Sequence, residues 1–156
     1  LLIAVVSDTH RDSYSIGEVL KKIDKADLLI HLGDNVRDAV QMSSKFKGRT
    51  IYVKGNCDYA PSVPSELVED IAGRRFFITH GHNYGVKQSL SLLCKKAKAE
   101  GAHVALYGHT HISSIVKEGG IYCINPGSAS EGRDGCESIV MIEIKDDSIK
   151  PWLEVV

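Results

Sequence analysis

The sequence predicts an α/β protein built as a two-sheet α/β sandwich, with mixed sheets and helices on the outside. Three observations predict it. Short continuous apolar runs rich in Val and Ile recur through the chain, as strands buried on both faces do. Helix-periodic stretches separate the early runs, and strand–helix–strand order implies parallel pairing through crossover helices. The middle and end hold paired segments around Gly- or Asp-rich turns, which read as antiparallel hairpins.

The elements follow in order. Leu1–Val6 is the first apolar run and ends in Ser7-Asp8-Thr9-His10. Ile16, Val19, Leu20 and Ile23 then make a helical stripe. Asp27–Leu32 runs into Gly33-Asp34, and Val36, Val40 and Phe46 form a looser helical pattern. Thr50–Val53 runs into Lys54-Gly55-Asn56. Glu66–Ile71 and Arg74–Ile78 flank Ala72-Gly73 as a hairpin, and the second of them leads to Thr79-His80. Val86, Leu90, Leu93, Cys94 and Ala97 make a third helical stripe, in a segment that closes at Gly101. Val104–Tyr107 runs into Gly108-His109-Thr110-His111. Two hairpins complete the chain. Ile112–Lys117 pairs with Ile121–Ile124 across Glu118-Gly119-Gly120, and Ser138–Ile144 pairs with Ser148–Val155 across Asp146-Asp147.

A chain of 156 residues fits one domain, expected to span residues 1–156. Its 43% hydrophobic and 25% charged residues are ordinary for a globular protein. The formal net charge of −1 offers no basic excess for general nucleic-acid binding, so attraction for an anion must be local. The first apolar run is too short for a signal segment, and no run approaches the roughly 18 residues of a membrane span. The expectation is a cytoplasmic protein with no membrane partner. Cys57, Cys94, Cys123 and Cys136 form no CxxC pair and read as free thiols of a reducing compartment. The β-rich C-terminal stretch offers sheet edges, through which a homodimer or homotetramer could form.

All five polar termini fall where an apolar run ends. Ligands of open α/β sheets sit beyond the carboxyl ends of strands, so Asp8, His10, Asp34, Asn56, His80, His109 and His111 are expected at one rim. Seven such side chains are too many for one ion and suit two divalent ions about 3.5–4 Å apart that share a carboxylate. Mixed imidazole and carboxylate donors suit manganese first, and also nickel, iron, zinc or cobalt. Two ions carry four positive charges, and the two aspartates with a bridging hydroxide leave a residual positive charge. That charge fits an anionic phosphate ester as substrate.

These blocks resemble a known family. Asp8-Thr9-His10, Gly33-Asp34, Gly55-Asn56-Cys57-Asp58, Thr79-His80-Gly81-His82 and Gly108-His109-Thr110-His111 look like those of the calcineurin-like metallophosphoesterases. The short length and the Gly-Asn-Cys-Asp variant resemble the small archaeal and bacterial phosphodiesterases related to the retromer small subunit. The resemblance implies a four-layer sandwich and a two-metal phosphodiesterase, with in-line attack of a hydroxide that bridges the ions. Asp8, His10 and His111 would bind the first metal, Asn56, His80 and His109 the second, and Asp34 would bridge. Asp34, Asn56 and His109 are the expected catalytic residues. Cys57 departs from the wider family, which often carries His there to protonate the leaving oxygen. A thiol is a weak hydrogen-bond donor, so activated esters are expected to react best.

Other residues are weighed against plainer roles. Cys57, His82, Arg11 and Asn35 are candidate substrate contacts. Arg11 could equally be solvated, and Asn35 is similar. His31, inside an apolar run, reads as a core histidine, and His103 as a surface one. Asn125-Pro126-Gly127-Ser128 reads as a structural turn, Ser128–Gly135 as a mobile loop with Arg133 a further substrate candidate, and Cys94 as core. Two other functions compete: an interaction scaffold that keeps its metal site, like the retromer small subunit, and another metallohydrolase class. The second lacks its signatures, because Asn83-Tyr84 follow His80-Gly81-His82 and the chain is too short for a (β/α)8 barrel.

Overall fold

In the computed structural model, which describes residues 1–156, two five-stranded sheets pack face to face. The first holds β1 (Leu2–Val6), β2 (Leu28–His31), β3 (Arg49–Tyr52), β9 (Ser138–Lys145) and β10 (Ser148–Val155), in the order β10-β9-β1-β2-β3. β1, β2 and β3 run parallel, while β9 pairs antiparallel with β1 and with β10. The second sheet holds β4 (Glu66–Ile71), β5 (Arg74–Thr79), β6 (Val104–Leu106), β7 (Ser113–Glu118) and β8 (Ile121–Pro126), in the order β4-β5-β6-β8-β7. Its parallel centre, β5-β6-β8, is flanked by the two antiparallel strands.

Strand periodicity sorts the apolar side chains into layers. Ile3 and Val5 face inward and meet Phe76, Ile78, Leu106 and Ile124 of the other sheet. Ala4 and Val6 face outward and pack under α1 (Ser13–Lys22) and α2 (Val36–Lys45), against Ile16, Val19 and Met42. Phe77, Ala105 and Cys123 line the outer face of the second sheet beneath Leu93 and Ala97 of α3 (Ser91–Ala99). The result is four layers, helix, sheet, sheet and helix, with double-faced burial where the continuous apolar runs predicted it. α1 starts where the Asp12 carboxylate accepts the Tyr14 and Ser15 N–H groups and ends on Lys21 and Lys22, which complement the helix dipole.

Several sequence expectations need correction. β3 is an edge strand with only Ile51 buried, not a strand covered on both faces. Val40 is 51% exposed, and the buried face of α2 is Val36, Asp38, Ala39 and Met42. Val86 and Leu90 precede α3, which begins at Ser91 after a 3-10 turn at His82–Tyr84. Cys94 is only half-buried and faces Cys123 and Glu118. The turn expected at 125–128 starts later, because Asn125 and Pro126 end β8 and the Asn125 side chain accepts the Gly127 N–H, while His103 is exposed as expected. The segment expected as a mobile loop is held: Ser128 and Ala129 are fully buried, Arg133 N–H donates to the His111 carbonyl, and Asp134 accepts from Ser113.

Candidate metal centre

The carboxyl ends of β1, β2, β3, β5 and β6 converge on one rim where the two sheets meet. The residues just beyond them bend sharply. Asp8, His10, Asp34, His109 and His111 all have φ between 42° and 69°, a region that side-chain-bearing residues rarely adopt. Asp8, Asp34, His80 and His111 are at most 6% exposed, so their polar atoms must be satisfied inside the protein.

Two clusters form. Asp8, His10 and His111 place ligand atoms within 4.8 Å of one another, and so do Asp8, Asp34 and His80. Asp8 Oδ1 is 3.1 Å from His111 Nε2, 3.8 Å from His10 Nε2 and 3.9 Å from His80 Nε2. His80 Nε2 also lies 3.5 Å from Asp34 Oδ2 and 3.1 Å from Asn56 Oδ1. The His109 ring stands 5.1 Å from that of His80, between centroids, and burial, His80 and Lys87 lower its pKa to about 4. His109 is therefore neutral at physiological pH. All seven residues singled out from the sequence meet at this rim.

The tautomers decide what the clusters can hold. His80 Nδ1 is 2.9 Å from the Leu32 carbonyl, and His111 Nδ1 is 3.1 Å from the Glu131 carbonyl. A carbonyl only accepts, so each Nδ1 carries the hydrogen. In the neutral ring each Nε2 is then a bare lone pair aimed at carboxylate and amide oxygens. Asp8 Oδ1 is itself buried without a hydrogen-bond partner. Lone pairs facing lone pairs repel unless a cation lies among them. A proton can serve on one edge. Burial pushes the Asp8 carboxyl up, but His111, His80 and Ser7 hold it below the ordinary range, and the contact with Asp8 raises His111. One proton cannot satisfy both clusters, so the donor set fits divalent metal ions. Asp8 Oδ1 belongs to both clusters, which makes Asp8 a second candidate for a shared ligand beside Asp34.

A ring of supporting contacts holds the candidate ligands in place. Asp58 accepts N–H groups from Asp34, Val36 and Gly55 at 2.7–2.9 Å, pinning the Asp34 turn to the start of α2 and to the Gly55 turn. A Cβ on Gly55 would run into the Asp34 carboxylate, so only glycine lets that turn approach. Thr9 Oγ1 bridges His31 Nε2 at 3.1 Å and Asp38 Oδ2 at 2.6 Å. Asp38 also takes the Arg11 N–H, which ties the bend after β1 to α2. Ser7 Oγ and the His109 N–H donate to Asp8 Oδ2, while Ser128 and Ser130 donate to the Asp8 carbonyl. Asn125 Nδ2 donates to the Gly108 carbonyl and to Thr110 Oγ1. Asp58 and Asn125 stood inside motif blocks already singled out. Asp38 carried only the weak signal of a carboxylate on a helix's buried face.

The candidate substrate contacts divide. Cys57 is exposed at the rim, its N–H donates to Asp34 Oδ1 at 2.9 Å, and burial together with Asp34 pushes its thiol up to about 11. His82 stands 5.5 Å from His80 and 6.1 Å from His109 between ring centroids, with its Nδ1 buried and unpartnered. Asn35 lies beside Asp34 at the start of α2, with no hydrogen bond from its side chain to the helix. Arg11 contributes its backbone to Asp38, and its side chain is exposed.

The geometry has known counterparts. The probable metallophosphoesterase YsnB of Bacillus subtilis is 31% identical over 150 residues, covering 94% of this chain and 86% of its own length. A predicted phosphoesterase of Streptococcus pneumoniae has a solved structure with a TM-score of 0.85 and 32% identity, over 99% of this chain and 88% of that one. A novel archaeal phosphodiesterase (TM-score 0.81, 22% identity, 99% of this chain and 100% of that one) shares the fold. So does Vps29 of Entamoeba histolytica complexed with zinc (0.80, 20%, 99% of each). The domain model described as the calcineurin-like phosphoesterase superfamily matches residues 1–147, a span that takes in nine of the ten strands and all seven candidate ligands. The chain belongs to the calcineurin-like phosphoesterase superfamily.

Proposed function

We propose that this chain is a phosphodiesterase whose centre takes two divalent transition-metal ions, with manganese the first candidate. One observation carries the reading: a buried carboxylate oxygen, Asp8 Oδ1, with no hydrogen-bond donor and several imidazole nitrogens turned toward it. Asp8, His10 and His111 would hold one ion, Asn56, His80 and His109 the other, with Asp34 shared. Bound there, the ions would supply Lewis acidity, lowering the pKa of a water and offsetting charge on the phosphate.

The chain's own residues would do the remaining work. Carbonyls of Leu32 and Glu131 orient the rings of His80 and His111, so these two would be held in place for loading. Asn56 Oδ1 faces the His80 nitrogen, and its amide N–H lies toward Cys57 at the rim, where a phosphoryl oxygen could be met. His82, held below the usual histidine pKa by burial first and with its Nδ1 unpartnered, would face the same oxygens, while His109 would stay with the second ion. The Cys57 thiol stays protonated but is a weak acid, so the departing alkoxide would receive little help.

The test is metal analysis of protein purified without added metal, followed by a diester panel with manganese or nickel. Two ions per chain and turnover of bis(4-nitrophenyl) phosphate are expected. Asp34→Asn should lower both occupancy and rate, and full activity in that variant refutes the shared role. Metal uptake without turnover of any phosphate ester, at several pH values, would favour the scaffold reading instead.

A further inference from the structure

Beside the metal rim lies an open cavity of about 400 Å³, whose lining includes Thr110, the residue between the candidate ligands His109 and His111. Its floor is apolar. Val86 and Tyr107 are buried there, and Ile112 is 48% exposed, an aliphatic side chain facing solvent beside a polar centre. Leu90 completes the floor. Two cations, Lys87 and Arg133, stand at its edge. Both are exposed, and neither has a carboxylate within ion-pair distance. The backbone around Arg133 is tied to the metal rim. Arg133 N–H donates to the His111 carbonyl, and Asp134 anchors the same segment to Ser113.

A cavity of this kind suits a group with an apolar body and a negative end. Ring-sized apolar surface would cover Ile112 and Leu90 and leave water. Two unpaired cations beside it match a dianion better than a neutral or singly charged group. A protein with a net charge of −1 does not attract anions everywhere, so these two cations are a local feature. We propose that the cavity seats one ester substituent of the substrate, and that this substituent is nucleoside-sized with a phosphomonoester of its own. The preferred substrate class is then a short 5′-phosphorylated dinucleotide. This rests on the phosphodiesterase reading, which it narrows.

The experiment uses the metal-loaded full chain with thymidylyl-thymidine, with and without its 5′-phosphate. The phosphorylated compound should show at least a tenfold higher kcat/KM. Lys87→Met and Arg133→Met should each reduce that ratio at least threefold, through KM. A ratio near one in the unaltered protein, or an unchanged ratio in both variants, overturns the proposal. Binding of thymidine 5′-monophosphate, measured by calorimetry, separates the two readings. If no diester is hydrolysed but the nucleotide binds at least tenfold more weakly to both variants, the cavity assignment stands and the activity fails. If bis(4-nitrophenyl) phosphate is hydrolysed but nucleotide binding is indifferent to both side chains, the cavity assignment falls.

Discussion

His31 accepts the Gly33 N–H on Nδ1 and therefore donates from Nε2 to Thr9, whose hydroxyl passes its own hydrogen to Asp38. The ring is neutral, and burial lowers its pKa to about 4 although Asp8, Asp38 and Asp58 pull the other way. An unfolded histidine titrates near 6.5. Between those values the unfolded chain binds the extra proton, so stability is full above about pH 6.5 and is lost as pH falls through about 4. The loss from this one site is at most about 3 kcal/mol. His31→Gln can keep both hydrogen bonds without the titration, and urea midpoints at pH 7 and pH 4.5 should differ less in it than in the unaltered protein. Cys57 offers a second residue-scale prediction. Cys57→His puts a stronger donor at the rim, and alkyl diesters should gain on nitrophenyl diesters by about tenfold or more, within the range of general acid catalysis. Equal gains for both ester types would mean that the imidazole does not serve the leaving group.

At the scale of elements, α2 shows why a helical pattern was legible and its exact face was not. Val36, Val40 and Phe46 announced a helix, but Val40 points to water and Met42 fills the layer beneath α1. Val36 belongs to both faces, and the rest of the buried face follows Asp38, which turns inward to reach Thr9 and the Arg11 N–H. Met42→Ala should destabilise by about 2–5 kcal/mol, while Val40→Lys should stay within about 0.5 kcal/mol. Reversal of that order in denaturant melts would contradict the packing. The Gly55 turn makes a related point. Asp58 serves three N–H groups from two turns and one helix start. Asp58→Ala should weaken metal binding by about 10–100-fold, as losses of supporting partners do, with the ligands themselves intact. Metal titration of the purified variant measures it.

For the whole molecule, the sandwich and the convergence of the seven polar residues at one rim were legible for one reason. Double-faced burial makes strands continuous apolar runs, and each run stops where a polar residue must leave the core. The supporting contacts were not legible, because they join positions far apart in the chain. Ser128 meets the Asp8 carbonyl, and Asn125 meets Gly108, with nothing local to announce either pair. The edge position of β3 was hidden for a similar reason, since a short run does not say how many neighbours it has. Metal removal acts at this scale too. Ions that bind only the folded chain stabilise it by about 2.7 kcal/mol at a hundredfold excess over Kd. A chelator should therefore lower Tm by roughly 5–10 °C for a chain of this size, and restored metal should recover it.

The bends at Asp8, His10, Asp34, His109 and His111 give this balance a longer reach. A ligand-bearing turn held in a rarely populated backbone conformation, with lone pairs opposed, is a liability for a chain that never meets its metal. Substituting glycine for such a ligand would relieve strain and repulsion together, so metal-free His10→Gly or His111→Gly is expected to melt no lower than the metal-free parent. A lineage relieved of the need to turn over substrate would have a thermodynamic incentive to discard these side chains, and each loss would make the fold sturdier. If the full set serves chemistry as proposed, stability and chemistry stand in tension here, and that tension can be read as a melting temperature.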